Sequence, residues 1–290
     1  MTKEICSVCS NTMSTRLQQW HYSCPTCKYE RAVLPSNINL LGAHQAIDET
    51  AREQALRNVR RYNFEILLRR ILELKTRGDL LDVGCAHGWF LELARTHFNV
   101  LGLEPDRAIY DAHATGTFAV RPGYFPEVLG TSEKFDVIVF NDVLEHIPDI
   151  TEALSACHRH LNEHGVLVVN LPDSGGIFYR IAKRLSQFGI AEFFKRMWQV
   201  GLPSPHVHYF NRTNLTTLLE KHGFEVRKTG HLDTVHLSGL FTRISYAQDG
   251  RSYFSRAIIY VAVVMCLPLL KVLPGDILYV MATRTDKTTT

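Results

Sequence analysis

The sequence predicts an α/β fold in which a mostly parallel β-sheet is covered by helices on both faces. From Gly78 onward, short apolar runs typical of buried strands alternate with longer stretches whose apolar residues recur at helical spacing. Polar residues and glycines follow several of these runs, as expected where strands end in turns at the edge of a sheet. Ahead of this region stand two Cys-x-x-Cys pairs, which predict a small metal-stabilised module at the N-terminus.

Seven strands and five helices account for most of the region after Gly78. Each predicted strand is a short apolar run, and the predicted helices lie between the strands. The strands are predicted at 79–84, 99–104, 117–120, 135–140, 165–171, 224–229 and 276–284. The helices are predicted at 88–97, 106–113, 124–130, 149–162 and 212–222. In such a sheet, ligands bind at the carboxyl ends of the strands.

The chain divides into three predicted segments. One of them, a linker between the other two, is rich in helix formers over 46–76. Its arginines are interpreted as a solvated face, with phosphate contacts as the alternative. The segments are a zinc ribbon at 1–34, a helical linker at 35–77, and a main domain at 78–290 with insertions at 172–209 and 230–275.

The Cys-x-x-Cys pairs define the N-terminal segment. Cys6 and Cys9 form one pair, and Cys24 and Cys27 form the other. Four thiolates can form the tetrahedron that Zn²⁺ prefers, and they leave no position for a catalytic water. We therefore predict a structural zinc ribbon over 1–34, since so short a segment has no core of its own. Two disulfides or a redox pair are the alternatives.

The composition is that of a globular protein with one sizeable core. The chain has 290 residues, of which 46% are hydrophobic, and a formal net charge of +3. So small a positive charge gives no argument for a nucleic-acid partner. The first residues lack the apolar stretch of a signal peptide, so we expect a cytoplasmic protein whose cysteines stay reduced.

A glycine-rich turn after the first predicted strand of the main domain indicates a cofactor site. The stretch 80–90 reads LLDVGCAHGWF, in which an apolar run leads through Gly84 and Gly88 into a periodic apolar stretch. Such glycines let a cofactor approach the backbone, because they carry no Cβ. Glu104 ends the next predicted strand with a carboxylate that can accept both hydroxyls of a ribose. These features predict a nucleoside-containing cofactor, although the dinucleotide and P-loop motifs are both missing.

These residues resemble motif I of the class I S-adenosylmethionine-dependent methyltransferases, Asp-x-Gly-Cys-Gly-x-Gly. Ala86 stands where the middle glycine is usual, and we expect it to require a negative φ. The segments 135–146 and 161–169 resemble the fourth strand and the fifth-strand entry of that family. The segments 205–210 and 215–224 are similar to its UbiG-like and sugar-modifying branch. The resemblance implies a Rossmann-like, seven-stranded sheet of order 3-2-1-4-5-7-6 with strand seven antiparallel.

The resemblance also implies S-adenosylmethionine as cofactor and assigns its contacts. It implies that Glu104 binds the ribose, and that 121–125 meets the adenine through backbone or aromatic groups. The other implied cofactor contacts are Asp82, Gly84, Gly88, Asn141 and Asp142.

Three histidines are candidates for the base that an alcohol acceptor needs. His146 follows the fourth predicted strand, and His206 and His208 alternate along an extended stretch, so that they face the same way. We predict that the three contribute to an O-methyltransferase site, with a hydrogen bond to backbone as the alternative for each. We expect metal-free transfer, since the sequence shows no metal-binding pair near this site.

Both predicted insertions carry long apolar stretches. In the first, apolar residues recur at helical spacing beside a basic face, which indicates a lid over the acceptor or a contact with an anionic membrane. In the second, the thirteen apolar residues at 258–270 are too few to cross a bilayer. We interpret them as a buried or dimer-forming helix, with docking at a membrane interface as the alternative. A homodimer and a peripheral location on the inner face of the membrane are the corresponding expectations.

The insertions favour a large or lipid-linked acceptor. We prefer a sugar hydroxyl on a nucleotide sugar or a cell-surface polysaccharide intermediate, and a quinone or lipid phenol belongs to the same reaction class. An RNA methyltransferase is a rival hypothesis, but 141–144 reads NDVL, unlike the Asn/Asp-Pro-Pro-Tyr of base-amine methylases. A non-catalytic binding protein is disfavoured because Asp82, Gly84, Gly88 and Glu104 are all present.

Overall fold

The computed structural model describes residues 4–36, 49–111, 117–237, 239–247, 252–270 and 272–285. Three short strands form the cysteine-containing segment, namely β1 (Ser14–Thr15), β2 (His21–Ser23) and β3 (Glu30–Ala32). A long helix, α1 (Glu49–Leu72), follows within the predicted 46–76. Residues 37–48 of the predicted linker and 286–290 lie outside the described residues.

The main domain alternates strands and helices, as the sequence predicts. Its first half contains β4 (Asp79–Val83), α2 (Trp89–Ala94), β5 (Asn99–Glu104), α3 (Arg107–Asp111), β6 (Ala119–Pro122), β7 (Phe135–Asn141) and α4 (Ile150–His160). Its second half contains β8 (Leu161–Pro172), α5 (Ile177–Gln187), α6 (Glu192–Met197), β9 (His208–Tyr209), α7 (Arg212–Lys221), β10 (Phe224–Leu232), α8 (Leu240–Ala247), α9 (Tyr253–Leu270) and β11 (Ile277–Arg284).

Seven of these strands form one sheet, in the order β6-β5-β4-β7-β8-β11-β10. Strand β4 runs parallel to β5 and β7, whereas β11 is antiparallel to both β8 and β10. Successive residues of β7 alternate between two apolar clusters, with Ile138 and Phe140 in one and Val137 and Val139 in the other. Both faces of the sheet are therefore covered, and the predicted Rossmann-like α/β fold is confirmed.

The N-terminal strands pair with the main domain. Strand β3 is antiparallel to β9, with Glu30 opposite Tyr209 and Arg31 opposite His208, so that β1, β2, β3 and β9 form a second, four-stranded sheet. The buried side chains of this segment, including Tyr29, belong to the same apolar cluster as one face of the large sheet. The segment thus shares a core with the main domain.

Two predicted helices differ in the structure. Residues 124–130 form turns rather than a helix, and the physical reason is Pro126, which disfavours helical geometry at Phe125.

The apolar run at 258–270 belongs to the longer helix α9, none of whose side chains is buried. The expectation of a buried helix is therefore wrong for the single chain. Within the described ranges, α9 alone has the length and composition to cross a membrane, with a mean hydropathy of 1.9.

Candidate active site

A cavity of about 1050 Å³ opens at the carboxyl ends of β4, β5, β7 and β8. This is the edge of the sheet where the sequence predicts the cofactor, and the volume is at the upper end of the range for small-molecule sites. The cavity therefore has room for a cofactor and an acceptor side by side. Of the predicted site residues, Gly84, Glu104, Asn141, Asp142, His146 and His206 line it. Asp82, Gly88 and His208 do not belong to its lining.

The turn after β4 depends on its two glycines. Gly84 has a φ of +67°, and a Cβ at this position would lie 2.7 Å from a methyl group of Val143. Gly88 has a φ of +71° and is the N-cap of α2. Side chains are unfavourable at both positions, because left-handed backbone strains residues other than glycine.

Ala86 adopts a conformation that the sequence did not predict. We expected a negative φ, and this is wrong, because φ is +44°. In this conformation the Ala86 N–H donates a hydrogen bond to Glu104 Oε2 at 2.8 Å, which ties the turn to the end of β5. Left-handed backbone raises the conformational energy of a residue other than glycine by about 1–2 kcal/mol. The hydrogen bond to Glu104 therefore forms in a locally strained turn.

The Glu104 carboxylate is held by two backbone donors. Oε2 accepts from Ala86 N, and Oε1 accepts from Asp106 N at 2.8 Å. Burial raises the pKa of Glu104 to about 7, although the two backbone hydrogen bonds act to lower it. A carboxylate has about four acceptor sites, so these two bonds leave capacity for the two hydroxyls of a ribose.

A chain of buried polar side chains crosses three neighbouring strands below the cavity lining. Asn141 Nδ2 donates to Asp82 Oδ1 at 3.2 Å, and Asn170 Nδ2 donates to Asn141 Oδ1 at 2.7 Å. Burial, as the largest cause, raises the pKa of Asp82 to about 8. Asp82 therefore fixes the orientation of the Asn141 amide, and Asn141 is the member of the chain that reaches the cavity.

Helix α1 brings a cation to the cavity. Arg60 NH2 lies 3.3 Å from Asp142 Oδ2, and both residues are part of the lining. Arg243 of α8 also lines the cavity and donates to the Thr234 carbonyl at 3.0 Å. Burial, followed by the positive charge of Arg60, lowers the pKa of Arg243. The linker arginines were interpreted as a solvated face, but Arg60 faces the site.

His146 is the predicted base whose geometry is suited to receiving a proton. Its Nδ1 lies 3.0 Å from the Pro205 carbonyl oxygen and must donate to it, so Nε2 carries the lone pair of the neutral ring. Nε2 lies 3.9 Å from Glu145 Oε1. Burial, and then the charge of Asp142, raises the pKa of Glu145 well above the usual carboxyl range, which favours its neutral form.

His206 and His208 are both buried but have different surroundings. The Gln199 amide lies 2.8 Å from His206 Nε2 on the cavity wall. His208 donates from Nε2 to the Ile147 carbonyl at 2.8 Å and accepts at Nδ1 from the Tyr29 hydroxyl at 2.5 Å. Burial lowers the pKa of His208 to about 4. His208 Nδ1 thus joins the main domain to the N-terminal segment, whereas Nε2 is bonded within the main domain. The structure does not bring His208 to the cavity.

Among the residues that the structure describes, two groups of side chains could hold a metal ion. The Sγ atoms of Cys6, Cys9, Cys24 and Cys27 all lie within 4.8 Å of one another. One oxygen of Glu145 and one nitrogen each of His146 and His206 also lie within 4.8 Å of one another. The second group has the composition of a site for a divalent cation. The sequence did not reveal it, because its members come from separate segments.

Comparison with known proteins identifies the family. The family described as "Methyltransferase domain" matches residues 55–229, more than half of the chain. The chain belongs to this family. It is a class I S-adenosylmethionine-dependent methyltransferase, and S-adenosylmethionine is its methyl donor.

Relatives of this methyltransferase include enzymes of more than one kind. A Mycolicibacterium smegmatis protein named "Probable S-adenosylmethionine-dependent methyltransferase" is 29% identical over 211 residues, which cover 71% of this chain and 72% of that protein. The ubiquinone biosynthesis O-methyltransferase of Paramagnetospirillum magneticum is 36% identical over 96 residues, which cover 31% of this chain and only 38% of that protein.

Solved structures of methyltransferases share the fold. One from Thermotoga maritima has a TM-score of 0.53 at 16% identity, and the match covers 83% of this chain and 97% of that one. One from Archaeoglobus fulgidus has a TM-score of 0.51 at 18% identity, covering 82% and 100%. At these identities the similarity shows the fold alone.

Several residues that line the cavity of the methyltransferase escaped the sequence analysis. Glu145 could have been noticed as a carboxylate within an otherwise apolar run. Tyr124 and Phe125 also line the cavity, but they belong to the segment 121–125, for which the resemblance already implies an adenine contact. The others, Arg60, Arg196, Gln199, Tyr209 and Arg243, come from elements whose approach to the cavity is set by packing.

Proposed function

We propose that the methyltransferase methylates a hydroxyl of a sugar that is carried on a phosphate or diphosphate, as in a nucleotide sugar or a polysaccharide intermediate. The observation that carries the proposal is the His146 ring on the cavity wall. Because Nδ1 donates to the Pro205 carbonyl, Nε2 of the neutral ring has the lone pair that can accept the proton of a hydroxyl acceptor.

The residues of the chain orient the reactants and move the proton. S-adenosylmethionine, when bound, supplies the methyl group from its sulfonium. Glu104 holds the ribose, and the turn at Gly84 allows close approach of the methionine end to the backbone. His146 receives the acceptor proton as the hydroxyl oxygen attacks the methyl group. The buried Glu145 and His206 beside it help to exclude water, which would compete as an acceptor.

Three arginines support a phosphorylated acceptor, although nine acidic residues also line the cavity. Arg60, Arg196 and Arg243 all line it. Arg60 pairs with Asp142, yet its charge still lowers the pKa of Arg243, and a further anionic group would relieve this repulsion. A neutral acceptor can accept hydrogen bonds from these guanidinium groups but gains no charge pairing from them. The phosphate of a sugar donor or of a glycan carrier is therefore the part of the substrate that we assign to them.

The cysteine quartet fits a structural zinc ion, and zinc is part of this proposal. Zn–S bonds of about 2.3 Å place tetrahedral sulfurs about 3.8 Å apart. Cys6 and Cys27 are separated by 3.5 Å between sulfurs, as are Cys9 and Cys24. Burial raises the pKa of Cys6 to about 11, so a cation is needed to hold its sulfur as the thiolate. We propose a cytoplasmic location, where the thiols stay reduced.

A quinol or lipid phenol is the second candidate acceptor. It is favoured by the similarity of residues in this chain to the ubiquinone biosynthesis O-methyltransferase of P. magneticum, although the match covers less than two fifths of that protein. A phenol would use the same base, because its proton also leaves as the oxygen attacks. The two candidates differ in the need for an anionic group near the arginines.

Labelled-methyl transfer tests the proposal. The purified protein is incubated with methyl-labelled S-adenosylmethionine and, separately, with nucleotide sugars, lipid-linked saccharides, demethylated quinols and RNA. We expect label in the sugar fraction, recovered as an O-methyl sugar after acid hydrolysis. Label confined to the quinol fraction would support the second candidate, and label in RNA would exclude both.

A second measurement separates an imidazole base from a bound cation. The protein is treated with citrate, a chelator too weak to strip four thiolates, and activity is then measured. Unchanged activity supports His146 as the base. Activity that is lost and then restored by Mg²⁺ or Mn²⁺ would instead assign Glu145, His146 and His206 to a cation site.

A further inference from the structure

Helix α9 exposes an apolar stripe along its length. Phe254, Ile258, Val261, Met265 and Leu269 recur at spacings of three or four residues, and each is more than half exposed. We refer to these five residues as the α9 stripe. Another side of α9 packs against α8, which packs against α1. A helix packed on one side normally presents polar residues to water on the other, so the α9 stripe is suited to an apolar environment.

Helix α5 carries a second apolar surface. Phe178, Ile181 and Phe188 are exposed at helical spacing, and we refer to them as the α5 stripe. The N-terminus of α5 lies beside the segment that follows α9, because the Ile177 N–H donates to the Pro274 carbonyl at 3.2 Å. The N-terminal end of α5, which carries Phe178, therefore lies near the connection that follows α9.

The connections of α9 exclude a membrane-spanning arrangement. Only six residues separate Leu270 from Ile277, where the next strand, β11, begins, and five residues separate the end of α8 at Ala247 from Tyr253. Six extended residues reach about 20 Å, whereas the hydrocarbon core is about 30 Å thick. Both α8 and β11 belong to the same domain, on one side of a membrane. If α9 spanned the bilayer, the chain at its far end would be too short to cross back to that domain. An apolar helix so connected can enter a bilayer only by lying in its plane.

The charged side chains within α5 and α9 are all positive. Arg180 and Arg184 are exposed on α5, and Arg256 lies in the first turn of α9. Neither helix contains an acidic residue. Two copies of this chain meeting through these surfaces would bring arginines together, whereas the headgroups of anionic lipids would neutralise them.

We infer that the α9 and α5 stripes dock in the plane of a bilayer whose surface carries anionic lipids. Tyr253 and Tyr260 of α9 pack against Phe241 of α8, with 5.6 and 5.9 Å between ring centroids. This aromatic group fits the placement, because aromatic rings favour the membrane–water interface. Phe178 of the α5 stripe also lines the cavity, so the docked surface borders the site. The inference does not depend on which acceptor is methylated.

Flotation of the full-length protein with lipid vesicles tests the inference. Vesicles of phosphatidylcholine with about 30% phosphatidylglycerol should bind the protein, and vesicles of phosphatidylcholine alone should bind it much more weakly. Salt at about 0.5 M should weaken the binding by screening the arginines. Equal binding to both vesicle types would overturn the anionic part of the inference, and binding to neither would overturn the whole.

Substitutions on the α9 stripe identify the surface. Val261→Glu with Met265→Glu should reduce vesicle binding by at least about tenfold, because charged side chains are costly to insert. The matched control, Thr151→Glu with Thr217→Glu, makes the same charge change at exposed positions of α4 and α7 and should bind normally. Both variants should bind S-adenosylmethionine as the unmodified protein does, which shows that they are folded.

Cys266 provides an independent reporter on the same helix. It is exposed on α9, and an environment-sensitive fluorophore attached there should shift to shorter wavelength when vesicles are added. No shift on vesicle-bound protein would show that α9 stays in water and would overturn the docking geometry. A dimer in lipid-free buffer that the α9 substitutions dissociate, without any vesicle binding, would assign the surface to a second copy instead.

Discussion

Replacing Asp82 by asparagine should change how the stability of the methyltransferase depends on pH. Asp82 is buried, and burial is the largest cause of a pKa near 8 in the folded protein. In an unfolded chain the pKa of aspartate is about 3.9. Between these two pH values the folded protein holds a proton that the unfolded chain releases.

The sign of the effect follows from this difference. A carboxyl whose pKa is raised on folding contributes its full stability below about pH 4, and that stability is lost as the pH rises towards 8. Each pH unit in this window removes about 1.4 kcal/mol, so a rise from about pH 5.5 to about pH 7.5 removes about 3 kcal/mol. Asparagine does not titrate, and its carbonyl oxygen can still accept from Asn141.

Urea unfolding of both proteins at these two pH values measures the effect. We expect the free energy of unfolding of Asp82→Asn, relative to the unmodified protein, to rise by about 3 kcal/mol between the lower and the higher pH. Glu104 and Glu145 titrate in both proteins and largely cancel in the comparison. The exposed substitution Glu163→Gln serves as the control. Parallel pH profiles for Asp82→Asn and the unmodified protein would show that Asp82 is ionised in the fold and would refute the reasoning.

Four further substitutions test other parts of the site. Glu104→Ala should weaken S-adenosylmethionine binding at least about tenfold in calorimetric titration, because charge-assisted hydrogen bonds are lost, and unchanged affinity would remove Glu104 from the ribose. Cys6→Ser should release the bound zinc, and one retained equivalent by atomic absorption would contradict the quartet. Ala86→Gly should raise the free energy of unfolding by up to about 1 kcal/mol in urea, as left-handed strain is relieved, and a lower value would show that the turn is not strained. His146→Ala should lower kcat at least about tenfold with the Kd for S-adenosylmethionine unchanged, and full activity would leave the base elsewhere.

The cofactor side of the site was largely predictable from the sequence. Its parts are close together in sequence. A strand is followed by the turn with Gly84 and Gly88, and the next strand ends with the carboxylate of Glu104. The known geometry of parallel sheets then brings these ends together. The conformation of Ala86 was the exception, since the hydrogen bond from its N–H to Glu104 favours a positive φ that alanine alone would avoid.

The acceptor side was less predictable, because it is assembled from distant segments. Arg60 lies on α1, before the first strand of the large sheet, and Arg243 lies on α8, between β10 and β11. Nothing in their local sequence places them at a cavity. His206 and His208 follow the same extended stretch, but pairing of β9 with β3 directs His208 to Tyr29 of the N-terminal segment. Tertiary packing, rather than the periodicity of the sequence, brings the two arginines to the cavity and directs His208 away from it.

The pairing of β3 with β9 makes the N-terminal module a brace for the catalytic wall. Glu30 of β3 accepts hydrogen bonds from the Tyr179 hydroxyl at 2.9 Å and from Lys183 at 2.6 Å, so the same strand also anchors α5. Glu104 ends β5 and the glycine turn follows β4, and these two strands pair with each other in the large sheet. If the quartet binds zinc as proposed, loss of the metal would leave an enzyme that still recognises its methyl donor but turns over poorly, and donor binding alone would then overstate the amount of functional enzyme.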